Sequence, residues 1–175
     1  MKGLVHIYTG SGKGKTTAAI GLGVRACGRG LKVLMVQFLK GAETGEIFAI
    51  KRLEPDFVLQ RGRGPKKFTC NMEPEELEQA KKVQRELFET AVGSAMTGKW
   101  DLLILDEIMA AINEGMINAC DVEDFIKNKP DKLELVLTGR NAPQELIALA
   151  DYVSDVRAVK HPIEKGVKAR KGIEI

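Results

Sequence analysis

Leu4-Val5-His6-Ile7-Tyr8-Thr9-Gly10-Ser11-Gly12-Lys13-Gly14-Lys15-Thr16-Thr17 passes from a short β-type run, through a glycine-rich turn, into a segment that reads as a helix from Lys15 to Arg29. A strand, a glycine-rich turn and Lys-Thr at a helix start together spell a phosphate-binding loop. Glycine accepts the backbone angles that turn successive N–H groups inward, so Gly10, Ser11, Gly12, Lys13 and Gly14 can form a nest around phosphate oxygens. The helix start aims the positive end of its dipole at the same place. Lys15 is placed to neutralise phosphate charge and the Thr16 hydroxyl to reach Mg²⁺, with Thr17 next in the loop. The usual spacing is GxxxxGK[ST]; here Thr9 holds the first glycine position and Gly10 comes one place later.

Outward from this loop, Lys32 to Phe38, Leu102 to Leu105 and Leu133 to Leu137 are nearly continuous apolar runs, the pattern of strands buried on both faces. A weaker strand is expected at Phe57 to Leu59, and loops at 41–45 and at the basic stretch 61–67 (RGRGPKK). Pro74 opens a long helix to about Ala95, with Leu77, Ala80, Val83, Leu87, Phe88 and Ala91 on one face. A short helix is expected at Asp121 to Lys127, and another with Asn141 at its N-cap and Gln144 at N3. Alternating strands and helices predict an α/β fold, a mostly parallel sheet flanked by helices, as one phosphate-loop (RecA-like) domain over residues 1–175. Ligands of such sheets sit beyond the carboxyl ends of the strands. Here those ends are residues 9–17, 37–46, 106–107 and 138–140.

Composition agrees. The 175 residues are 44% hydrophobic and 29% charged, ordinary values for a soluble globule. A net charge of +3 gives no argument for nucleic acid. No apolar run approaches the ~20 residues that span a bilayer. Cys27, Cys70 and Cys120 are odd in number and far apart, and the N-terminus runs straight into a strand without signal-peptide architecture; a cytoplasmic protein with reduced thiols is expected.

The second chemical signal is Asp106-Glu107 at the end of the Leu102–Leu105 run. Carboxylates there, beside a phosphate loop, suit Mg²⁺ held directly or through water. Two look-alikes are set aside. Asn128-Lys129-Pro130-Asp131 matches a guanine-reading NKxD, but it follows a polar helix rather than a buried strand and reads as a turn. The loop glycines are spaced GxGxG, not the dinucleotide GxGxxG. His6 reads as a packed or hydrogen-bonded strand histidine, and the basic segment Lys160 to Lys171, with His161, as a solvated edge. The residues alone thus reach a Mg-nucleotide-binding α/β protein: an ATPase or kinase in which Glu107 orients water or a hydroxyl, a nucleotide-sensing switch, or another enzyme that uses a nucleoside triphosphate.

A resemblance narrows this. Residues 9–19 (TGSGKGKTTAA), Arg25-Ala26-Cys27-Gly28, Val36-Gln37-Phe38-Leu39-Lys40-Gly41 with Gly45-Glu46, Leu103-Ile104-Leu105-Asp106-Glu107, Leu137-Thr138-Gly139-Arg140 and the closing Val159-Lys160-His161-Pro162, Gly166-Val167-Lys168-Ala169 and Gly172-Ile173-Glu174 resemble the P-loop ATP:corrinoid adenosyltransferases. The resemblance runs from about residue 3 to 174. It implies that Co(I) of a reduced corrinoid, cobalamin or a precursor, attacks the 5′ carbon of ATP and that triphosphate leaves. It implies Lys15, Thr16 and Glu107 as catalytic residues, Thr16, Asp106 and Glu107 as Mg²⁺ ligands, and the triphosphate reversed in the loop relative to kinases. It implies a homodimer, a flavoprotein reductant, and Phe68 in the corrinoid pocket, with Cys70 where a second aromatic would fall. Met1 stands two residues before the matched region, so the family's N-terminal lid is expected to be absent or replaced.

Overall fold

The computed structural model describes residues 2–62 and 72–174. Phe68 and Cys70, and most of the basic 61–67 loop, lie outside the described residues. Among the described residues six strands form one all-parallel sheet: β1 (Val5–Thr9), β2 (Val33–Gln37), β3 (Phe57–Arg61), β4 (Leu102–Asp106), β5 (Glu134–Thr138) and β6 (Tyr152–Asp155), in the order β3-β2-β4-β5-β1-β6. The helices are α1 (Lys15–Cys27), α2 (Gly45–Lys51), α3 (Pro74–Met96), α4 (Ile108–Asn113), α5 (Ala119–Asn128) and α6 (Gln144–Leu149).

Side chains alternate across a strand, so each buried strand feeds two cores. On one face Leu34, Val36, Leu103, Leu105, Leu135 and Leu137 pack with Phe88 of α3 and Phe125 of α5. On the other face Val33, Met35, Phe57, Ile104 and Val136 meet Ala19 of α1 and Ile50 of α2. Both faces are therefore covered, as the apolar runs predict. Helix α1 packs tightly at Gly23, where a Cβ would stand 2.5 Å from the Phe57 ring.

Four elements depart from the sequence reading. Residues 45–51 form α2 where no helix is expected, while the weak strand expected at Phe57 to Leu59 is β3; β6 and α4 are not anticipated at all. Helix α6 starts at Gln144 with Pro143 at its N-cap, so Gln144 is not N3, and Asn141 sits earlier in a left-handed conformation (φ 54°). The long helix does begin at Pro74, closed by a capping box between Glu73 and Glu76. Insertion of β5 between β4 and β1 matters most: it separates the strand bearing the acidic pair from the strand bearing the phosphate loop, and lets β5 supply a residue between them.

Candidate active site

All four strand ends named above meet in one cavity of about 690 Å³, bordered by the phosphate loop, Lys40, Glu46, Glu107 and Arg140. The loop leaves β1 after Thr9. Gly10 takes φ 103° and Gly14 φ 122°, conformations that cost a side-chain-bearing residue. Gly10 thus makes the turn that the missing first glycine of the motif would otherwise mark. Packing gives a second reason for Gly10 and Gly12. A Cβ on Gly10 would stand 2.4 Å from Asp155 Oδ1, and one on Gly12 would stand 2.8 Å from the Val156 carbonyl oxygen. The Gly12 N–H donates to that carbonyl at 2.7 Å. The chain just past β6 therefore braces the loop, and no spacing rule announces it.

Lys15 is only 7% exposed and its ammonium folds back, donating to the carbonyls of Gly10 (2.7 Å) and Gly12 (2.8 Å). Burial lowers its pKa, partly countered by Glu107 and Asp106. The Asp106 side chain is fully buried at the end of β4. Its Oδ1 accepts from the hydroxyls of Thr16 (2.8 Å) and Thr138 (2.7 Å). Its Oδ2 accepts from the Gln37 amide (3.1 Å) and pairs with Lys40 Nζ (2.9 Å). Lys40 also lies 3.5 Å from Glu46, which accepts from the same Gln37 amide at 3.1 Å.

Glu107 is a non-glycine residue at φ 61°, capping the start of α4, with its N–H on the Thr138 hydroxyl at 2.9 Å. Such strain persists where the surroundings over-determine it. Its carboxyl borders the cavity, and burial, with Asp106 beside it, raises its pKa against the opposing pull of Lys40, Lys15 and Arg140. The structure therefore brings Gly10–Thr17, Asp106 and Glu107 together. Gln37, Lys40, Glu46 and Thr138 join them without having been named as site residues. Their signal in the sequence is their place at strand ends and within the stretches that carry the family resemblance.

The C-terminal segment behaves differently from its reading as a plain solvated edge. Residues 160–171 are exposed apart from His161, but His161, Gly172, Ile173 and Glu174 border the cavity. Arg170 pairs with Glu174 and holds its pKa down to about 2. The remaining alternatives resolve as read. His6 hydrogen-bonds Glu134 and stacks on Tyr152. Asn128-Lys129-Pro130-Asp131 is the turn from α5 into β5, with Lys129 Nζ on the carbonyls of Gly3 and Leu133, at the sheet end opposite the cavity.

The fold and this site define a phosphate-loop nucleotide-binding protein. The family model for ATP:corrinoid adenosyltransferase BtuR/CobO/CobP matches residues 1–175. Corrinoid adenosyltransferases from a Sinorhizobium species and from Escherichia coli K12 are 36% and 34% identical, over 99% of this chain and 80% and 86% of their own lengths. An uncharacterized Nostoc protein is 33% identical over 93% of this chain, which spans 46% of that longer relative. The chain belongs to the ATP:corrinoid adenosyltransferase family.

Proposed function

We propose that this chain, as one domain over residues 1–175, transfers the 5′-deoxyadenosyl group of ATP to Co(I) of a reduced corrinoid and releases triphosphate. The observation that carries the reading is the cavity itself: Lys13, Lys15, Lys40 and Arg140 ring a phosphate loop, a site suited to a polyanion. In the reaction a cobalt–carbon bond forms, the C5′–O bond breaks, and the triphosphate takes its electron pair. Co(I) is the nucleophile, so the protein's task is to position two ligands and stabilise the departing charge. Lys15 serves by exchanging its two carbonyl partners for phosphate oxygens, together with the loop amides. Arg140 and Lys13 add charge at the rim.

Among the described residues no three His, Cys, Asp or Glu side chains gather as a metal site. Mg²⁺ needs no such cage, since it is commonly held by one or two carboxylates plus phosphates and water. The hard oxygens of Thr16, Asp106 and Glu107 fit it, and when bound it would supply a further positive centre on the leaving group. Phe68 is proposed to face the corrinoid. A homodimer, a flavoprotein supplying the electron to cobalt, and a cytoplasmic setting complete the proposal; no helix among the described residues is long and apolar enough to cross a membrane.

The test is incubation with Mg-ATP and chemically reduced cobalamin. A light-sensitive cobalt–carbon product and triphosphate should appear one for one, and ATP should survive when corrinoid is left out. Rapid corrinoid-independent release of ADP and phosphate would replace this reading with an ATPase.

A further inference from the structure

Asp106 is the most crowded carboxylate of the site. Each carboxylate oxygen offers about two lone-pair positions. On Asp106 all are taken, by Thr16, Thr138, Gln37 and Lys40. Gln37 and Thr138 are walled in, at 1% and 0% exposure, whereas the Lys40 side chain is 24% exposed and borders the cavity. A metal ion finds no vacant oxygen on Asp106 while the Lys40 ammonium stays.

The backbone that carries Lys40 is pinned from two sides. The Leu39 N–H, at φ 58°, donates to Oε1 of the fully buried Gln84 at 3.0 Å. The Arg61 guanidinium donates to the carbonyls of Lys40 (3.2 Å) and Ala42 (2.9 Å). The main chain is held, and the flexible four-carbon stem is what can move.

We infer that Lys40 is an exchangeable counter-ion of this site. Without nucleotide its ammonium neutralises Asp106 and Glu46. When a divalent cation arrives with a polyphosphate, Lys40 yields Asp106 to the metal and turns to phosphate oxygens. A metal ion alone must displace a cation and gains no new partner for it, so it binds weakly. With polyphosphate present the displaced ammonium finds an anion, and metal and nucleotide favour each other. The inference rests on the cavity being a polyphosphate site, as proposed above.

The experiment uses full-length protein without corrinoid. Mn²⁺ binding to nucleotide-free protein is followed by electron paramagnetic resonance, and Mg-ATP binding by calorimetry, for wild type and Lys40→Met. Mn²⁺ alone should bind about tenfold more tightly to the variant, equivalent to about 1.4 kcal/mol, and Mg-ATP about tenfold more weakly. Adding Asp106→Asn to Lys40→Met should abolish the Mn²⁺ gain. A purely structural role would weaken both ligands, and that result, or any pattern other than opposite signs, overturns the exchange. If Lys40→Met does not fold, Lys40→Gln carries the same two expectations. Because neither measurement needs corrinoid, failure of adenosyl transfer in the wild type would sink the proposed function and leave this comparison standing.

Discussion

One wall of the cavity is built from the sheet and the other is draped over it. On the first wall Asp106, Gln37, Thr138 and Lys15 are buried and carry two or more hydrogen bonds each; the first three are placed by the packing of β2, β4 and β5, and Lys15 by its seat at the start of α1. On the second, residues 160–174 are almost entirely exposed, and the hydrogen bonds described for them run within the segment: His161 Nδ1 accepts from the Ile163 N–H, and Arg170 binds Glu174. The buried wall is suited to fixed electrostatics, which act on a transition state without reorganising. The draped wall is suited to admitting and releasing ligands, a task for parts of low local stability.

The sharpest way to break this contrast is at the buried cation. Lys15→Ala should lower turnover at saturating ATP by about 10²–10³-fold, the cost seen when one preorganised electrostatic contact is lost. Asp106→Asn should raise the Mg²⁺ concentration needed for activity. It should also cost about 1–3 kcal/mol of stability in urea unfolding, because a buried amide cannot accept from all four donors. Ending the chain after Val159 tests the other wall. We expect the melting temperature to move by no more than a few degrees and ATP affinity to fall about tenfold, the size of one or two surface contacts; cooperative loss of the fold would show the two walls to be one.

The smallest expected effect has the opposite sign. Burial raises the Glu107 pKa, so its ionised form at neutral pH opposes folding. Glu107→Gln should therefore raise the melting temperature of the nucleotide-free protein at pH 7, at about 2–4 °C per kcal/mol recovered, while lowering activity. The wild type regains that stability as pH falls through the raised pKa, where Glu107 becomes neutral. The difference between the two proteins should shrink on acidification; a constant or growing difference would remove burial as the cause.

The same contrast explains what could be read from the sequence. β2, β4 and β5 are continuous apolar runs, and the loop Gly10–Thr17 carries its own local chemistry, so both are legible residue by residue. α2 has seven residues, α4 six and β6 four, too short for a period to declare itself. Ile50 makes α2 worthwhile by entering the core beside Phe57, and β6 exists because β1 has a free edge. Lys40 and Glu46 are legible as members of the strand end 37–46, but their meeting with Asp106 is set by the order β2-β4, a relation across some sixty residues that no local spacing encodes.

That strand order also governs when the protein can assemble during synthesis. β1 emerges first of the strands, yet both of its neighbours, β5 at residues 134–138 and β6 at 152–155, are the last two to be made. Until then the phosphate loop hangs from an unpaired apolar strand with exposed edges, the kind of surface that invites association with other chains. The nascent chain must wait for the last two strands of the sheet before the nucleotide can help hold it together, so ATP can stabilise the assembled sheet but not guide its earliest steps.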